Sequence, residues 1–120
     1  MRYGTLALVL VALYAPIAGA GEADIVDVKV QAQGGGRYAF EVTVRHADEG
    51  WNHYADKWDV VAPDGTVLGT RVLLHPHEDE QPFTRSLSGV SVPAGIDRVT
   101  LRVHDLVHGY GGAEMLVPLP

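Results

Sequence analysis

Six histidines are the residues of this chain whose type and spacing are best suited to chemistry. The sharpest pattern among them is His75-Pro76-His77. On an extended backbone, side chains two residues apart point to the same side, and a proline keeps the residue before it extended. Two imidazoles that project together are a recurrent pair of nitrogen ligands for zinc and copper. We therefore predict that His75 and His77 form one arm of a metal site.

The second arm of the predicted metal site lies near the end of the chain. His108 is its main candidate, because the glycines that follow let the backbone fold close to a bound ion. His104 alternates out of phase with its apolar neighbours and is expected to face away from the core. Either His104 or His53 would complete the set, and Asp105 would act as a ligand or as the hydrogen-bond partner of an imidazole. Neutral imidazoles without thiolates favour Zn²⁺ or Cu²⁺ over Cu⁺, and iron is less favoured.

The histidines also allow an interpretation without a metal. If the histidines are exposed or hydrogen-bonded surface residues, the chain would be a non-catalytic interaction module that docks to another protein of the cell envelope. An enzyme is less favoured, because the chain has no cysteine nucleophile and Ser86-Leu87-Ser88-Gly89 lacks the strand-to-helix turn of a serine nucleophile elbow. No glycine-rich phosphate loop precedes a helix either.

The first 20 residues have the pattern of a signal peptide. Arg2 gives a positive start, residues 5–17 form an almost wholly apolar run, and Ala18-Gly19-Ala20 supplies the small residues that a signal peptidase reads. The apolar run is shorter than the roughly 20 residues that a membrane-spanning helix needs. We predict a signal peptide over residues 1–20, one periplasmic or secreted domain over residues 21–120, and no membrane span after cleavage.

The region that this cleavage would leave is acidic and has no cysteine. It holds eight lysines and arginines against fifteen acidic residues, which gives a net charge of −7. Because it has no cysteine, neither a disulfide nor a lipid-modified cysteine is possible in it. Because it also has no basic cluster, we expect it to bind neither nucleic acid nor an anionic membrane. About one hundred residues suffice for one domain with one modest core. The oligomeric state stays open.

The elements that must position these side chains are β-strands. The clearest one alternates apolar Tyr38, Phe40, Val42 and Val44 with polar residues. Similar runs follow at intervals of about 8–12 residues and are separated by turn signals such as Pro63-Asp64-Gly65. The pattern predicts an all-β, immunoglobulin- or fibronectin-like antiparallel β-sandwich of about seven strands.

Three details of the sandwich can also be predicted. Val26, Val28 and Val30 alternate with polar residues, which places them on one face of the first strand. Trp58 lies on the strand where such sandwiches often bury a tryptophan. A change of phase around Ser88-Gly89 predicts a bulge in a later strand.

The chain resembles a family of small predicted periplasmic bacterial proteins of unassigned function. The resemblance covers the region after the signal peptide and is strongest at Gly50-Trp51, His53 to Asp56, His75-Pro76-His77, Glu80 to Gly89, His104-Asp105 and His108 to Gly112. It implies export and adds no mechanism.

Two loops also resemble those of superoxide reductases, which are immunoglobulin-like iron proteins. The iron loop of that family carries a His-Pro pair followed by Glu-His, and a late segment supplies a cysteine thiolate and a last histidine. In this chain His75-Pro76 is followed by Glu80-Gln81, and residues 105–109 occupy the late segment. The resemblance implies that His75 and His108 match iron ligands. It departs from the family where Gln81 replaces a histidine and Asp105 replaces the thiolate that tunes such an iron.

The predicted cleavage can be checked on protein recovered from the cell envelope. We expect amino-terminal sequencing to begin at or near Gly21, because the small residues of Ala18-Gly19-Ala20 direct hydrolysis to their carboxyl side. Recovery of the full-length chain from the cytoplasm would contradict this prediction.

Overall fold

The structure, a computed structural model, describes residues 7–8 and 21–120 of the chain. Its strands are β1 Ala7–Leu8, β2 Asp24–Gly34, β3 Arg37–Arg45, β4 Ala55–Val61, β5 Val67–Val72, β6 Phe83–Ser91, β7 Arg98–Asp105 and β8 Met115–Pro118. Apart from the two residues of β1, the predicted signal peptide lies outside the described residues. Within the described part of the chain, no helix has the length and apolar character needed to cross a membrane.

The strands form two antiparallel sheets. One sheet has the order β1-β2-β3-β6, in which three long strands are extended by the two residues of β1. The other has the order β5-β4-β7-β8. Hairpins join β2 to β3 and β4 to β5 at the glycine-containing turns that the sequence indicates. The predicted all-β antiparallel sandwich is therefore confirmed.

The core lies between the two sheets and consists of residues that alternate along the strands. Trp58 on β4 is fully buried, as predicted, together with Phe40 and Phe83 of the opposite sheet. The structure differs from the predicted pattern at the start of β2. A register shift between Ile25 and Asp27 turns Ile25 into the core and leaves Val26 half-buried.

The predicted bulge lies in β6. Phe40 of β3 pairs with Leu87, whereas Tyr38, two residues earlier, pairs with Val90, so β6 has one extra residue between these two pairs. Gly89 lies in the bulge with a φ of 69°, a conformation that favours glycine. The extra residue restores the alternation, because both Leu87 and Val90 pack against the core.

One end of the sandwich gathers the segments that carry most of the candidate ligands. β3 ends opposite the start of β2, at the pair Arg45 and Asp24. β7 ends opposite the start of β4, at the pair Asp105 and Ala55. The loops that follow β3 and β7 therefore meet at this end. A hydrogen bond between the β5–β6 loop and the β3–β4 loop brings the β5–β6 loop there as well.

The burial of Trp58 leads to a stability prediction. Trp58→Ala would leave a cavity in the core and is expected to lower the free energy of unfolding by about 3–5 kcal/mol. Trp51 is 64% exposed, so Trp51→Ala is a matched control that should cost less than about 0.5 kcal/mol. Urea unfolding measures both values. Equal losses in the two variants would show that the Trp58 ring does not support the core.

Candidate metal site

The inward-facing positions of two strands end in polar residues at the same end of the sandwich. On β3 the alternation continues past Val42 and Val44 to His46, which is 2% exposed. On β7 it continues past Val103 to Asp105, which is 0% exposed. An imidazole and a carboxylate thus lie where each sheet would otherwise place another apolar side chain.

His53 joins these two side chains from the β3–β4 loop and completes a cluster of three possible metal ligands. Its Nε2 lies 3.3 Å from His46 Nε2 and 3.4 Å from Asp105 Oδ1. His46 Nε2 lies 3.9 Å from Asp105 Oδ2. Ligands at the usual distance of about 2.1 Å from a tetrahedral zinc ion are about 3.4 Å from one another. The group formed by His46, His53 and Asp105 therefore has the donor atoms and the spacing to hold a metal ion.

Carboxylates bind the far nitrogen of each imidazole. His46 Nδ1 hydrogen-bonds to Asp48 Oδ1, and His53 Nδ1 lies 2.8 Å from Glu49 Oε1. Since an ionised carboxylate only accepts hydrogen bonds, each Nδ1 carries the proton. In a neutral ring the lone pair is then on Nε2, the nitrogen that faces the cluster. Both Nε2 atoms also lie near the carbonyl oxygen of Gly21, at 2.8 Å from His46 and 3.2 Å from His53, so a protonated His46 donates a hydrogen bond to that carbonyl. This carboxylate–imidazole arrangement is the one that orients histidine ligands in metal sites.

Asp48 also connects the cluster to two other segments. Its Oδ1 accepts a hydrogen bond of 3.1 Å from the backbone N–H of Ala55, and its Oδ2 accepts one of 2.6 Å from that of His77. Burial alone would raise the pKa of Asp48, but the hydrogen bond from His46 and these two backbone hydrogen bonds lower it. Asp48 is therefore a buried carboxylate that stays ionised at neutral pH.

The surroundings of His46 favour a positive charge in the cluster. Burial alone would lower the pKa of His46, but the hydrogen bond to Asp48 and the negative charges of Asp48 and Asp105 raise it above its usual value. In the absence of a metal, a proton on His46 offsets the charge of these two carboxylates. A divalent cation would replace that proton.

Asp105 directs one carboxylate oxygen to backbone donors and leaves the other without one. Oδ1 accepts hydrogen bonds of 2.9 Å from the N–H of Val107 and 2.7 Å from the N–H of His108. Burial would raise the pKa of Asp105, but these two N–H groups and the charges of His46 and His108 lower it. Oδ2 is buried and has no hydrogen-bond partner among the described residues. A buried, ionised oxygen without a donor is unfavourable unless a cation binds there.

The structure places His53 and Asp105, two of the six predicted ligands, in the cluster, and it places His108 at the rim. His108 Nδ1 is 3.3 Å from Asp105 Oδ1, and the rings of His108 and His53 have centroids 5.1 Å apart. His104 faces away from the core, as predicted, and its Nδ1 lies 2.6 Å from Asp56 Oδ1.

His75 and His77 lie together in the β5–β6 loop, with ring centroids 4.6 Å apart. His77 is buried and stacks on Phe83, and its Nε2 is 3.0 Å from Arg85 Nη2. Burial lowers the pKa of His77, and the positive charge of Arg85 lowers it further. Residues 21–120 contain one group of at least three convergent ligand atoms, and neither histidine belongs to it. The role of His75 and His77 as metal ligands stays a prediction.

Gln81, the residue that the local resemblance to superoxide reductases would match to a histidine ligand, directs its side chain to the backbone. Its Oε1 accepts a hydrogen bond of 2.9 Å from the N–H of His46, and its Nε2 donates one of 2.8 Å to the carbonyl of His77. Gln81 therefore holds the β5–β6 loop against the residue that follows β3.

The spacing patterns of the sequence do not select His46, although one signal identifies it. It continues the alternation of Val42 and Val44 and thus occupies an inward position at the end of the clearest predicted strand. A histidine in an inward position requires a hydrogen-bond partner, and Asp48 lies two residues further along the chain. Alternation that ends in a polar residue is therefore a better guide to this cluster than His-x-His spacing.

The chain is similar to a protein of Halomicrobium mukohataei named "Putative lipoprotein". The two are 48% identical over 96 residues, which cover 80% of this chain and 47% of that protein. The chain thus spans about half the length of this relative. No family model matches the chain, and no solved structure matches it.

The buried contacts of Asp48 lead to a second stability prediction. Asp48→Ala would leave His46 Nδ1 and two backbone N–H groups without an acceptor, and it is expected to lower the free energy of unfolding of the metal-free protein by about 3 kcal/mol. Glu49, whose side chain is 70% exposed, makes the equivalent contact with His53. Glu49→Ala is the matched control and should cost less than about 1 kcal/mol. If urea unfolding gives the same loss for both variants, Asp48 does not have the structural role assigned to it.

Proposed function

We propose that this chain is an exported β-sandwich protein that binds a divalent transition metal, Zn²⁺ or Cu²⁺, through His46, His53 and Asp105. One observation supports this proposal above the others. The two imidazoles direct Nδ1 to carboxylates and Nε2 to each other, with 3.3 Å between the two Nε2 atoms. Both Nε2 atoms also face the carbonyl oxygen of Gly21, at 2.8 and 3.2 Å. Three electron-rich atoms thus converge at one point, where a proton or a metal ion relieves their repulsion.

The charge of the cluster favours a metal ion over a proton as the permanent occupant. Asp48 and Asp105 are both buried and both have lowered pKa values, so they bring two negative charges to the end of the core. A single proton on His46 neutralises one of these charges and leaves Asp105 Oδ2 without a donor. A divalent cation between the imidazoles and Asp105 would compensate for both charges.

The chemistry of the ligands limits the choice of metal. Two imidazoles and one carboxylate without a thiolate suit Zn²⁺ and Cu²⁺, whereas soft Cu⁺ prefers sulfur. The same three ligands also hold iron in some non-haem sites, so Fe²⁺ belongs in the test as a third ion.

Export is supported by two independent features. Residues 1–20 have the pattern of a signal peptide. The similar protein of Halomicrobium mukohataei is named as a lipoprotein, which favours a location outside the cytoplasm for this chain as well.

Metal binding should stabilise the folded protein. With Zn²⁺ at about 100 times its dissociation constant, metal-stripped protein is expected to gain roughly 2.7 kcal/mol in its free energy of unfolding. His53→Ala should abolish this gain and leave the protein folded, because the His53 side chain is at the surface of the cluster and 14% exposed. His75→Ala, an exposed position outside the cluster, is the control and should keep the full gain.

Two results of this thermal or urea unfolding series would contradict the proposal. One is the absence of any shift with Zn²⁺, Cu²⁺ or Fe²⁺. The other is a shift that survives His53→Ala and disappears in the double variant His75→Ala/His77→Ala. That second result would assign the metal to the predicted arm in the β5–β6 loop.

The metal affinity should depend on pH in a direction fixed by His46. A protonated imidazole cannot bind a metal, so below the pKa of His46 each ion must displace a proton. Because that pKa is raised above its usual value of about 6.5, the affinity should still be increasing as the pH passes 6.5 and should become constant only at a higher pH. Titrations at several pH values between about 5.5 and 8.5 measure this profile. An affinity that is constant across the range would argue against His46 as a ligand.

A further inference from the structure

The backbone of Gly21 lies inside the candidate metal site. Its carbonyl oxygen is 2.8 Å from His46 Nε2 and 3.2 Å from His53 Nε2, and these two nitrogens are 3.3 Å apart. The three atoms thus converge on one point. Two of the edges are near the roughly 3.4 Å that separates ligands around a tetrahedral ion at about 2.1 Å, and the 2.8 Å edge is a hydrogen bond that would lengthen when an ion replaces the proton of His46. The carbonyl oxygen of Gly21 thus lies directly beside the two imidazoles of the cluster.

Only glycine allows the backbone to approach the imidazoles this closely. Gly21 has a φ of +90°, and a Cβ added to it would lie 2.8 Å from His108 Cε1 and 3.5 Å from His53 Cε1. A side chain here would be strained at this φ and would displace the imidazole of His108. Glycine at position 21 therefore allows the close contact between the backbone and the imidazoles of the cluster.

The position of Gly21 is fixed by the residues that follow it. The N–H of Ile25 donates to the carbonyl of Ala113 at 2.9 Å, and the N–H of Ala113 donates to Asp24 Oδ1 at 2.7 Å. A Cβ at Gly112 would overlap the carbonyl of Ala23, so this glycine lets the β7–β8 connection lie directly against the start of the chain's first long strand. These contacts hold the segment from its carboxyl side.

We propose that Gly21 is the fourth ligand of the metal site and that cleavage after Ala20 converts it from a single carbonyl donor into an amine–carbonyl chelate. The inference rests on the proposed metal-binding function. Hydrolysis adds water across the Ala20–Gly21 peptide bond and leaves a carboxylate on Ala20 and an α-amino group on Gly21. On binding the metal, the amine releases a proton to solvent and donates its lone pair. Metal, N, Cα, C and O then form a five-membered ring.

The added nitrogen changes what the site prefers to bind. The uncleaved chain offers two nitrogens and two oxygens, because the amide nitrogen of Gly21 has no available lone pair. The cleaved chain offers three nitrogens, and nitrogen-rich sites of this kind favour Cu²⁺ over Zn²⁺. The removal of the signal peptide and the assembly of a copper-selective site are thus the same event.

The test compares three forms of the protein. They are the full chain, the chain that begins at Gly21, and the chain that begins at Gly21 with an acetyl group on its α-amine alone. Among residues 21–120, the buried apolar core lies between Ala23 and Val117, and all three forms contain it. Acetylation keeps the Gly21 carbonyl and removes only the amine donor. Cu²⁺ is the probe, and its affinity and its electron paramagnetic resonance spectrum are both recorded.

We expect the free-amine chain to bind Cu²⁺ at least about tenfold more tightly than the acetylated chain and the full chain, because the second donor of a chelate binds intramolecularly. The spectrum should show three coordinated nitrogens in the free-amine chain and two in the other forms.

Equal affinities and equal nitrogen counts in the free-amine and acetylated chains would overturn this inference. If His53→Ala then still abolished binding, the metal site proposed above would stand without the amine. If no form bound Cu²⁺, Zn²⁺ or Fe²⁺, both proposals would be wrong.

Discussion

The carboxylate of Asp48 connects the segments that close one end of the sandwich. It accepts hydrogen bonds from the imidazole of His46, from the first residue of β4 at Ala55, and from His77 in the β5–β6 loop. An ionised carboxylate is stable in this buried position because three donors replace the water that it has lost. The orientation of His46 depends on this side chain, and the position of the β5–β6 loop depends on it together with Gln81.

The polar residues at one end of the core also limit which groups can be buried there. Apolar side chains from the two sheets pack on Trp58 through most of the sandwich, and the inward positions then pass to His46 and Asp105. Ionisable groups in such positions are favourable only when their charges are balanced. Binding of a cation would therefore contribute to folding as well as to function, since the unfolded chain does not bring these groups together. This coupling matters for a domain of about one hundred residues without disulfides.

The sequence predicts the fold of this protein better than its candidate metal site, and the reason is physical. Alternation of apolar residues is a local property of each strand, so the sandwich, the burial of Trp58 and the bulge near Gly89 could all be predicted. The cluster instead joins His46 of one sheet to Asp105 of the other, and no local pattern shows which strand ends will meet. His-x-His spacing describes how His75 and His77 stand relative to each other. It carries no information about the side chains that they face.

The contact between Gly112 and the carbonyl of Ala23 also orders events in time. The two residues lie near opposite ends of the sequence of the domain, so the start of β2 reaches its final packing only when the β7–β8 connection lies against it. In a chain that is translocated unfolded with its amino end first, the segment that arrives earliest is fixed latest. If this chain is exported and binds a metal as proposed, its site would form only after translocation is nearly complete. The ions available on the far side of the membrane, and not those of the compartment of synthesis, would then determine which metal it acquires.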